Sequence, residues 1–308
     1  MDVEYASWFD TRLVYDPDEL AQRLSRDSTE ILVVEADFVF EEVFQQASAL
    51  RYVGICRNST SHVDIDAATR HGVVVVNTPE RNAQAVAEHA LGLMLALARR
   101  IPAGHAYIED GGWQNPAEPY MSMRGVELAG RSLGVIGVGA IGARLARIGA
   151  ALGMKVLGYD PDPRIKTTQY VPVDLDTLMA TADYISIHVP ATPETEDLID
   201  ARRLAMMKPT AYLINTSDAS VVDQEALARA LSGDRIAGAA CDVFESHPIA
   251  PDSPLLGLDN VVLTPHVGGA TAETVERHSE MMTDDILRFI RGRQPKNIVN
   301  KEVWRHRG

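Results

Sequence analysis

Apolar residues in this 308-residue chain come in short unbroken runs, separated by longer amphipathic stretches. In the first hundred residues the runs are Ile31-Leu32-Val33-Val34, Tyr52-Val53-Gly54-Ile55 and Val73-Val74-Val75-Val76. They are short, continuous and rich in β-branched residues, which predicts buried strands. Helical spacing over 18–24, over about ten residues after Glu35, and over 64–70 places helices around them. Strands alternating with helices predict a small doubly wound parallel sheet, and Asn77-Thr78-Pro79 stops its last strand. Residues 82–100 form one long helix that is nearly apolar all round, so it is expected to lie buried between two domains. Within it, Glu88 and His89 read equally well as functional groups or as paired interfacial residues. Residues 101–129 carry Gly111-Gly112, Pro116 and Pro119, which predicts an extended arm with Trp113 as a packing anchor. The alternation then resumes, with strands expected at 132–136, 155–159, 183–187, 211–215, 236–240 and 261–263 and a last long helix at 271–291.

The strand at 132–136 runs into Gly137-Val138-Gly139-Ala140-Ile141-Gly142, and helix formers follow. Such a turn lets backbone N–H groups approach a pyrophosphate at a helix N-terminus. The next strand ends in Asp160, 18 residues past Gly142, where a carboxylate accepts the hydroxyls of an adenosine ribose. Strand, turn, helix, strand and acid together predict a dinucleotide-binding fold. Asp160 would repel a 2′-phosphate, which favours NAD over NADP; Arg164 opposes that charge.

Composition narrows the partners. A net charge of -14 argues against nucleic acid and anionic membranes, since phosphate contacts need a basic surface. The two cysteines, Cys56 and Cys241, imply neither a disulfide framework nor a metal site. The N-terminus lacks a basic segment followed by an apolar one, and the apolar stretch at 90–98 is too short to span a bilayer, so a cytoplasmic address is expected.

In doubly wound sheets the ligand sits beyond the carboxyl ends of the strands. The residues there are His188-Val189-Pro190, Thr216-Ser217-Asp218, Cys241-Asp242 and Thr264-Pro265-His266-Val267-Gly268-Gly269. Together with Val86-Ala87-Glu88-His89, Gly125-Val126-Glu127-Leu128-Ala129-Gly130-Arg131, the glycine turn, Ala191-Thr192-Pro193-Glu194-Thr195, Met207-Lys208-Pro209 and Leu213-Ile214-Asn215-Thr216, these segments carry a likeness. The chain resembles the D-isomer-specific 2-hydroxyacid dehydrogenases, the group that includes phosphoglycerate, glycerate and formate dehydrogenases. The resemblance implies two doubly wound α/β domains, a Rossmann nucleotide domain at 99–285 inserted into a flavodoxin-like substrate domain of 1–98 plus 286–308. It also implies a cleft hinged on the two long helices, a small-molecule substrate, and a homodimer built on the nucleotide domains. Carried over by residue, Gly137, Gly139, Ala140, Ile141 and Gly142 would face the pyrophosphate. Asp160 would hold the ribose, and Val189, Pro190 and Thr192 would line the adenosine. Thr216, Ser217, Gly268 and Gly269 would complete the cofactor site, with Asp242 near the nicotinamide carboxamide. His266 would be the general acid/base, a task that suits a group with a pKa near working pH.

Three positions depart from the family pattern. Where the family has an arginine that clamps the substrate carboxylate, this chain has Asp218. At about 4 Å and an effective dielectric near 20, swapping attraction for repulsion is worth on the order of several kcal/mol. Where the family has a glutamate that supports the catalytic histidine, Pro248 sets the register and His247 stands in its place; a neutral imidazole stabilises an imidazolium less than a carboxylate does. In the loop after the second strand, Ser59 and Ser61 occupy glycine positions beside Arg57 and Asn58. Arg57, Asn58, Ser59 and Asn82 are the expected substrate contacts. Three readings stay open: drift after loss of activity, a pocket rebuilt with Arg57 replacing the lost arginine, or an Asp218–Arg57 pair closing the cleft. The expected function is an NAD-dependent oxidoreductase with an altered substrate site in which His266, His247 and Asp218 carry the chemistry. The alternative is an NAD-binding protein without dehydrogenase activity.

Overall fold

The computed structural model describes residues 2–6, 10, 13–162 and 169–305, so Arg164 lies outside the described residues. The chain divides into two compact units, Met1–Arg81 with Thr271–Gly308, and Asn82–Ala270.

The first unit is built on three parallel strands, β1 (Ile31–Val34), β2 (Tyr52–Ile55) and β3 (Val74–Asn77), in that order. Ile31 pairs with Tyr52 and Tyr52 with Val74. Alternation sends Val53, Ile55 and Val75 to one face, where they meet Leu20, Leu24, Val43 and Phe44. Tyr52, Val74 and Val76 go to the other, against Met282, Ile298 and Val303. Both faces are therefore covered, as continuous apolar strands require. A Cβ at Gly54 would stand 2.4 Å from the Met282 sulfur, so β2 stays bare where helix Ala272–Ile290 lies over it. The C-terminal segment is tied in by the buried Asn300, which accepts from Val75 N at 2.8 Å and donates to Val73 O at 2.9 Å.

The second unit holds β4 (Ser132–Ile136), β5 (Lys155–Tyr159), β6 (Val171–Pro172), β7 (Tyr184–Ile187), β8 (Tyr212–Asn215), β9 (Gly238–Cys241) and β10 (Val261–Leu263). They run parallel in the order β10-β9-β8-β7-β4-β5-β6. The chain leaves β4 to build outward through β5, then returns to lay β7 on the other side of β4. That reversal opens a crevice at the carboxyl end of β4. Several helices start on an aspartate whose side chain accepts a backbone N–H of the first turn: Asp174 for 175–181, Asp200 for 201–206 and Asp223 for 224–232.

Three expectations are corrected. The two-residue β6 extends the sheet beyond the six expected strands, being too short to leave a periodic signal. Residues 101–129 are not simply extended: helices Ile101–Glu109 and Ala117–Ser122 form there, the first with a proline in its opening turn, where it costs no hydrogen bond. Trp113 is not a buried anchor: it is 57% exposed. Glu88 is exposed and accepts from Gln84 Nε2 at 2.7 Å. The compact units meet at 81/82 and 270/271, whereas the sequence places the domain boundaries at 98/99 and 285/286. Helix Ala83–Arg99 belongs wholly to the second unit because its buried face, including Leu93, Met94 and Leu97, packs with Leu133, Leu145 and Ile214.

Candidate functional site

The glycine turn is shaped by close backbone approach. Gly137 adopts φ +85°, and a Cβ there would lie 2.5 Å from His188 O. A Cβ at Gly142 would lie 2.0 Å from Gly137 O, whereas one at Gly139 would meet nothing within 4 Å. Gly139 caps helix Ala140–Ala151 without any side-chain bond, and no acidic residue occupies the first turn. The N–H groups of Ala140, Ile141 and Gly142 thus stay available to an anion on an open approach. Asp160 is held beside them: its Oδ2 accepts from Val138 N at 2.8 Å and its Oδ1 from Asp162 N at 2.9 Å. This geometry fits a dinucleotide, with the helix start for the pyrophosphate and Asp160 for the ribose.

The loops past β7 and β8 are internally braced. Thr195 Oγ1 accepts from Thr192 N at 2.8 Å and donates to Pro190 O at 2.7 Å, which folds the 190–195 turn on itself; Val189 is buried within it. Asn215 accepts from Ser217 N and Oγ and donates to Asp218 O, while the hydroxyl of Thr216 is buried without a partner among the described residues. Asp218 Oδ1 accepts from Ser220 N at 3.0 Å and Ser220 Oγ at 2.8 Å, capping the short turn Ala219–Val221. His188, named among the strand-end residues but given no role there, is a further polar group of this region. Its Nε2 lies 2.9 Å from Ser186 Oγ and its Nδ1 is buried without a partner. Burial pushes its pKa down to about 4, so it is neutral at ordinary pH.

The loop past β10 depends on Asp242, which is 2% exposed. Its Oδ1 accepts from Thr264 Oγ1 at 2.5 Å and Val267 N at 2.9 Å, and its Oδ2 from Gly268 N at 2.8 Å. His89 Nε2 stands 3.1 Å from Thr264 Oγ1 and 3.5 Å from Asp242 Oδ1. Burial pulls the Asp242 pKa up, but donors from His89, Thr264, Val267 and Gly268 outweigh it and hold the carboxyl at about 2. His89 and Thr264 were not legible as partners from spacing, because 175 residues separate them. The bonded atoms bracket His266, whose own N–H donates to Thr264 O at 3.0 Å and whose φ is +55°. The two glycines behind it have no room for side chains: a Cβ at Gly268 would lie 2.9 Å from Asp242 Oδ2, and one at Gly269 2.9 Å from Asn82 Nδ2.

His266 Nδ1 lies 2.9 Å from His247 Nε2, with the rings 4.9 Å apart and inclined at 48°. The structure thus brings His247 and His266, two of the residues singled out in the sequence, within hydrogen-bond distance of one another. In the first unit, Arg57 and Asn58 are exposed at the carboxyl end of β2, and their carbonyls accept from Thr78 N and Asn77 Nδ2. Ser59 and Ser61 bond to each other through their hydroxyls at 3.1 Å. His62, 7% exposed, is held below the usual histidine range by burial and by Arg57.

Two consequences can be measured. Asp160→Ala, which frees Val138 N and removes the ribose acceptor, should weaken NADH binding in a fluorescence titration by about tenfold or more. Asp242 has a pKa lowered from 3.8 to about 2, so its contribution to stability is complete above about pH 4 and is lost as pH falls through about 2. The contribution is about 2 kcal/mol. Asp242→Asn should lower the denaturation midpoint at neutral pH and flatten the acid limb of the stability curve over that window.

Comparison with known proteins agrees with this geometry. The profile of the D-isomer specific 2-hydroxyacid dehydrogenase, NAD binding domain, matches residues 91–268. A glyoxylate reductase from Thermofilum pendens is 41% identical over 92% of this chain and 84% of its own length. Among solved structures, D-lactate dehydrogenase with NAD+ from Lactobacillus jensenii superposes with a TM-score of 0.79 at 28% identity, over 91% of this chain and 88% of that one. An acyclic imino acid reductase in complex with NADPH and D-Arg gives a TM-score of 0.82 at 29% identity, covering 97% of both chains. A family fingerprint laid along the glycine turn and the loop of His266, with relatives matched over nearly their whole length, makes this chain an NAD-binding member of the D-isomer specific 2-hydroxyacid dehydrogenase family.

Proposed function

We propose that the chain is an NAD(H)-dependent oxidoreductase acting between a CH–OH or related group and its oxidised form, with a substrate site that differs from the family pattern. The observation that carries this reading is the His266–His247 pair at 2.9 Å, on a loop clamped by Asp242. In this reading Gly137, Gly139, Ala140, Ile141, Gly142 and Asp160 hold NAD, with Val189, Pro190, Thr192, Thr216, Ser217, Gly268 and Gly269 around it. When bound, NAD supplies hydride transfer. His266 holds or moves the proton at its Nε2, and His247 fixes the ring and exchanges a proton with it at Nδ1. Asp218 occupies the place of the carboxylate-clamping arginine, so an ordinary 2-keto carboxylate loses its partner in the second unit. Arg57, Asn58, Ser59 and Asn82 are the proposed substrate contacts. The units correspond to a substrate domain (Met1–Arg81 with Thr271–Gly308) and a nucleotide domain (Asn82–Ala270).

The expected result is NADH-coupled turnover of some carbonyl or hydroxy compound, with little on pyruvate, glyoxylate or hydroxypyruvate. His266→Ala should reduce kcat by about a hundredfold or more and leave NADH affinity unchanged, and His247→Ala should shift the pH dependence of kcat. Robust turnover of those simple keto acids would overturn the altered-pocket reading. NADH binding without hydride transfer across a broad substrate panel would favour the alternative, a binding role without dehydrogenase activity. The Asp218 carboxylate capping its own turn is compatible with that alternative.

We also assign a homodimer to this chain. Helices Ile101–Glu109 and Ala117–Ser122 bury no residue, and Ile101, Ile108, Trp113, Tyr120 and Met121 are 57%, 58%, 57%, 78% and 65% exposed within one short stretch of the second unit. So much exposed apolar surface in one place marks an association face. Light scattering should give twice the chain mass, and Ile108→Lys with Trp113→Lys should return it to the monomer with the NADH site intact. The proposed address is the cytoplasm; both cysteines are free and buried, and no helix among the described residues is long and apolar enough to cross a membrane.

A further inference from the structure

β8, β9 and β10 end in register, with Asn215 beside Cys241 and Cys241 beside Leu263. Asp218 and His266 each lie three residues beyond that row, on strands separated by one neighbour. Asp218 Oδ1 is taken by Ser220, while its Oδ2 has no hydrogen-bond partner among the described residues. The segments that leave these strands and β7, residues 188–200, 216–223, 242–260 and 264–270, contain no lysine or arginine. They carry ten acidic residues; among them Asp200 and Asp223 cap helices, Asp242 is internally bonded, and Asp218 stands just past the end of β8. The rim these segments form beyond the strand ends is therefore anionic.

That rim is badly matched to carbonyl reduction. Hydride addition to C=O builds negative charge on oxygen, and preorganised donors or cations at that oxygen supply much of the rate. A carboxylate there acts in the opposite sense. The histidine pair does not restore the balance, because His247 brings no negative charge to stabilise an imidazolium. An N···N bond carries one hydrogen; with Nδ1 donating to His247, the neutral His266 ring presents a lone pair at Nε2. Two acceptors, Asp218 Oδ2 and His266 Nε2, suit a heteroatom that is itself a cationic donor.

We infer that the reacting group is a carbon–nitrogen double bond, held as its iminium between Asp218 and His266, and that the reduced compound is an amine. This rests on the oxidoreductase reading above. The nearby carboxylate favours the protonated imine, which is the better electrophile. The iminium carbon accepts the hydride supplied by NADH, forming a C–H bond as NADH is oxidised to NAD+. The C–N π pair becomes the lone pair of the amine nitrogen, which takes its proton from water. In the reverse direction the ammonium first loses a proton to His266 Nε2, and the hydride then leaves for NAD+.

The test compares nitrogen with oxygen at the same carbon. The purified full-length protein with NADH is given pyruvate, 2-oxobutyrate and phenylpyruvate, each with and without methylamine, and the preformed cyclic imine 1-pyrroline-2-carboxylate. The expected result is NADH oxidation that requires the amine or the preformed imine, lost by about a hundredfold in Asp218→Asn. A binding measurement is independent of turnover: with NAD+ present, D-alanine should bind at least about tenfold tighter than D-lactate by calorimetry, and Asp218→Asn should erase the preference. Asp218→Arg should exchange imine reduction for keto-acid reduction. Amine-independent reduction of a keto acid by the wild type, or D-lactate binding as tightly as D-alanine, overturns the inference and leaves the oxidoreductase reading standing. No NADH oxidation with any of these compounds, together with no preference for D-alanine, overturns it as well. The oxidoreductase reading itself falls only if the wider panel of carbonyl and hydroxy compounds also fails.

Discussion

One buried carboxylate sets the geometry on which the rest of the site depends. Asp242 projects from the end of β9 into a place almost closed to water, where a bare charge would be costly. It stays charged because Thr264, Val267 and Gly268 all donate to it. Those same bonds hold the 264–268 loop in the one conformation that stands His266 up at positive φ. A left-handed backbone disfavours a residue with a side chain, so the loop needs an anchor of this kind. His89 adds a second brace through Thr264, which connects helix Ala83–Arg99 to the proton-transfer pair.

The glycine turn works by the opposite principle. Asp242 organises by donors converging on a charge, whereas Gly137 and Gly142 organise by having no side chain at all. Two backbone segments and a strand end meet there at distances that a Cβ would violate. The result is a helix start with free N–H groups and an open side at Gly139. Asp160 joins the two halves, since the carboxylate assigned to the ribose also fixes Val138 in the turn. Losing it would disturb both the shape and the charge of the cofactor site.

In the reading proposed above, the chain has changed the sign of its substrate site. The fold and the NAD-binding domain follow the family, while Asp218 stands where the family's arginine is expected. Electrostatic preorganisation is the largest single lever in most active sites, so one exchange of cation for anion alters which bond can be reduced more than many changes of shape would. The segments that leave β7, β8, β9 and β10 are without lysine or arginine over long stretches.

Much of this was legible in the sequence because it is local. Continuous β-branched runs announced β1–β3 and β4, the glycine turn and Asp160 announced the nucleotide site, and Pro248 gave the register that put His247 opposite His266. Other features were illegible for equally physical reasons. β6 is too short to show a period. The helices after Arg100 are hidden by the prolines and glycines within and around them, and Trp113 reads as core because an apolar side chain does not state what will cover it. The His89–Thr264–Asp242 chain joins residues far apart in sequence. Sequence by itself determined which groups this protein has to work with. Only the tertiary structure decided which of them are already satisfied by one another, as Asp242 is, and which, like the second oxygen of Asp218, have no hydrogen-bond partner among the described residues.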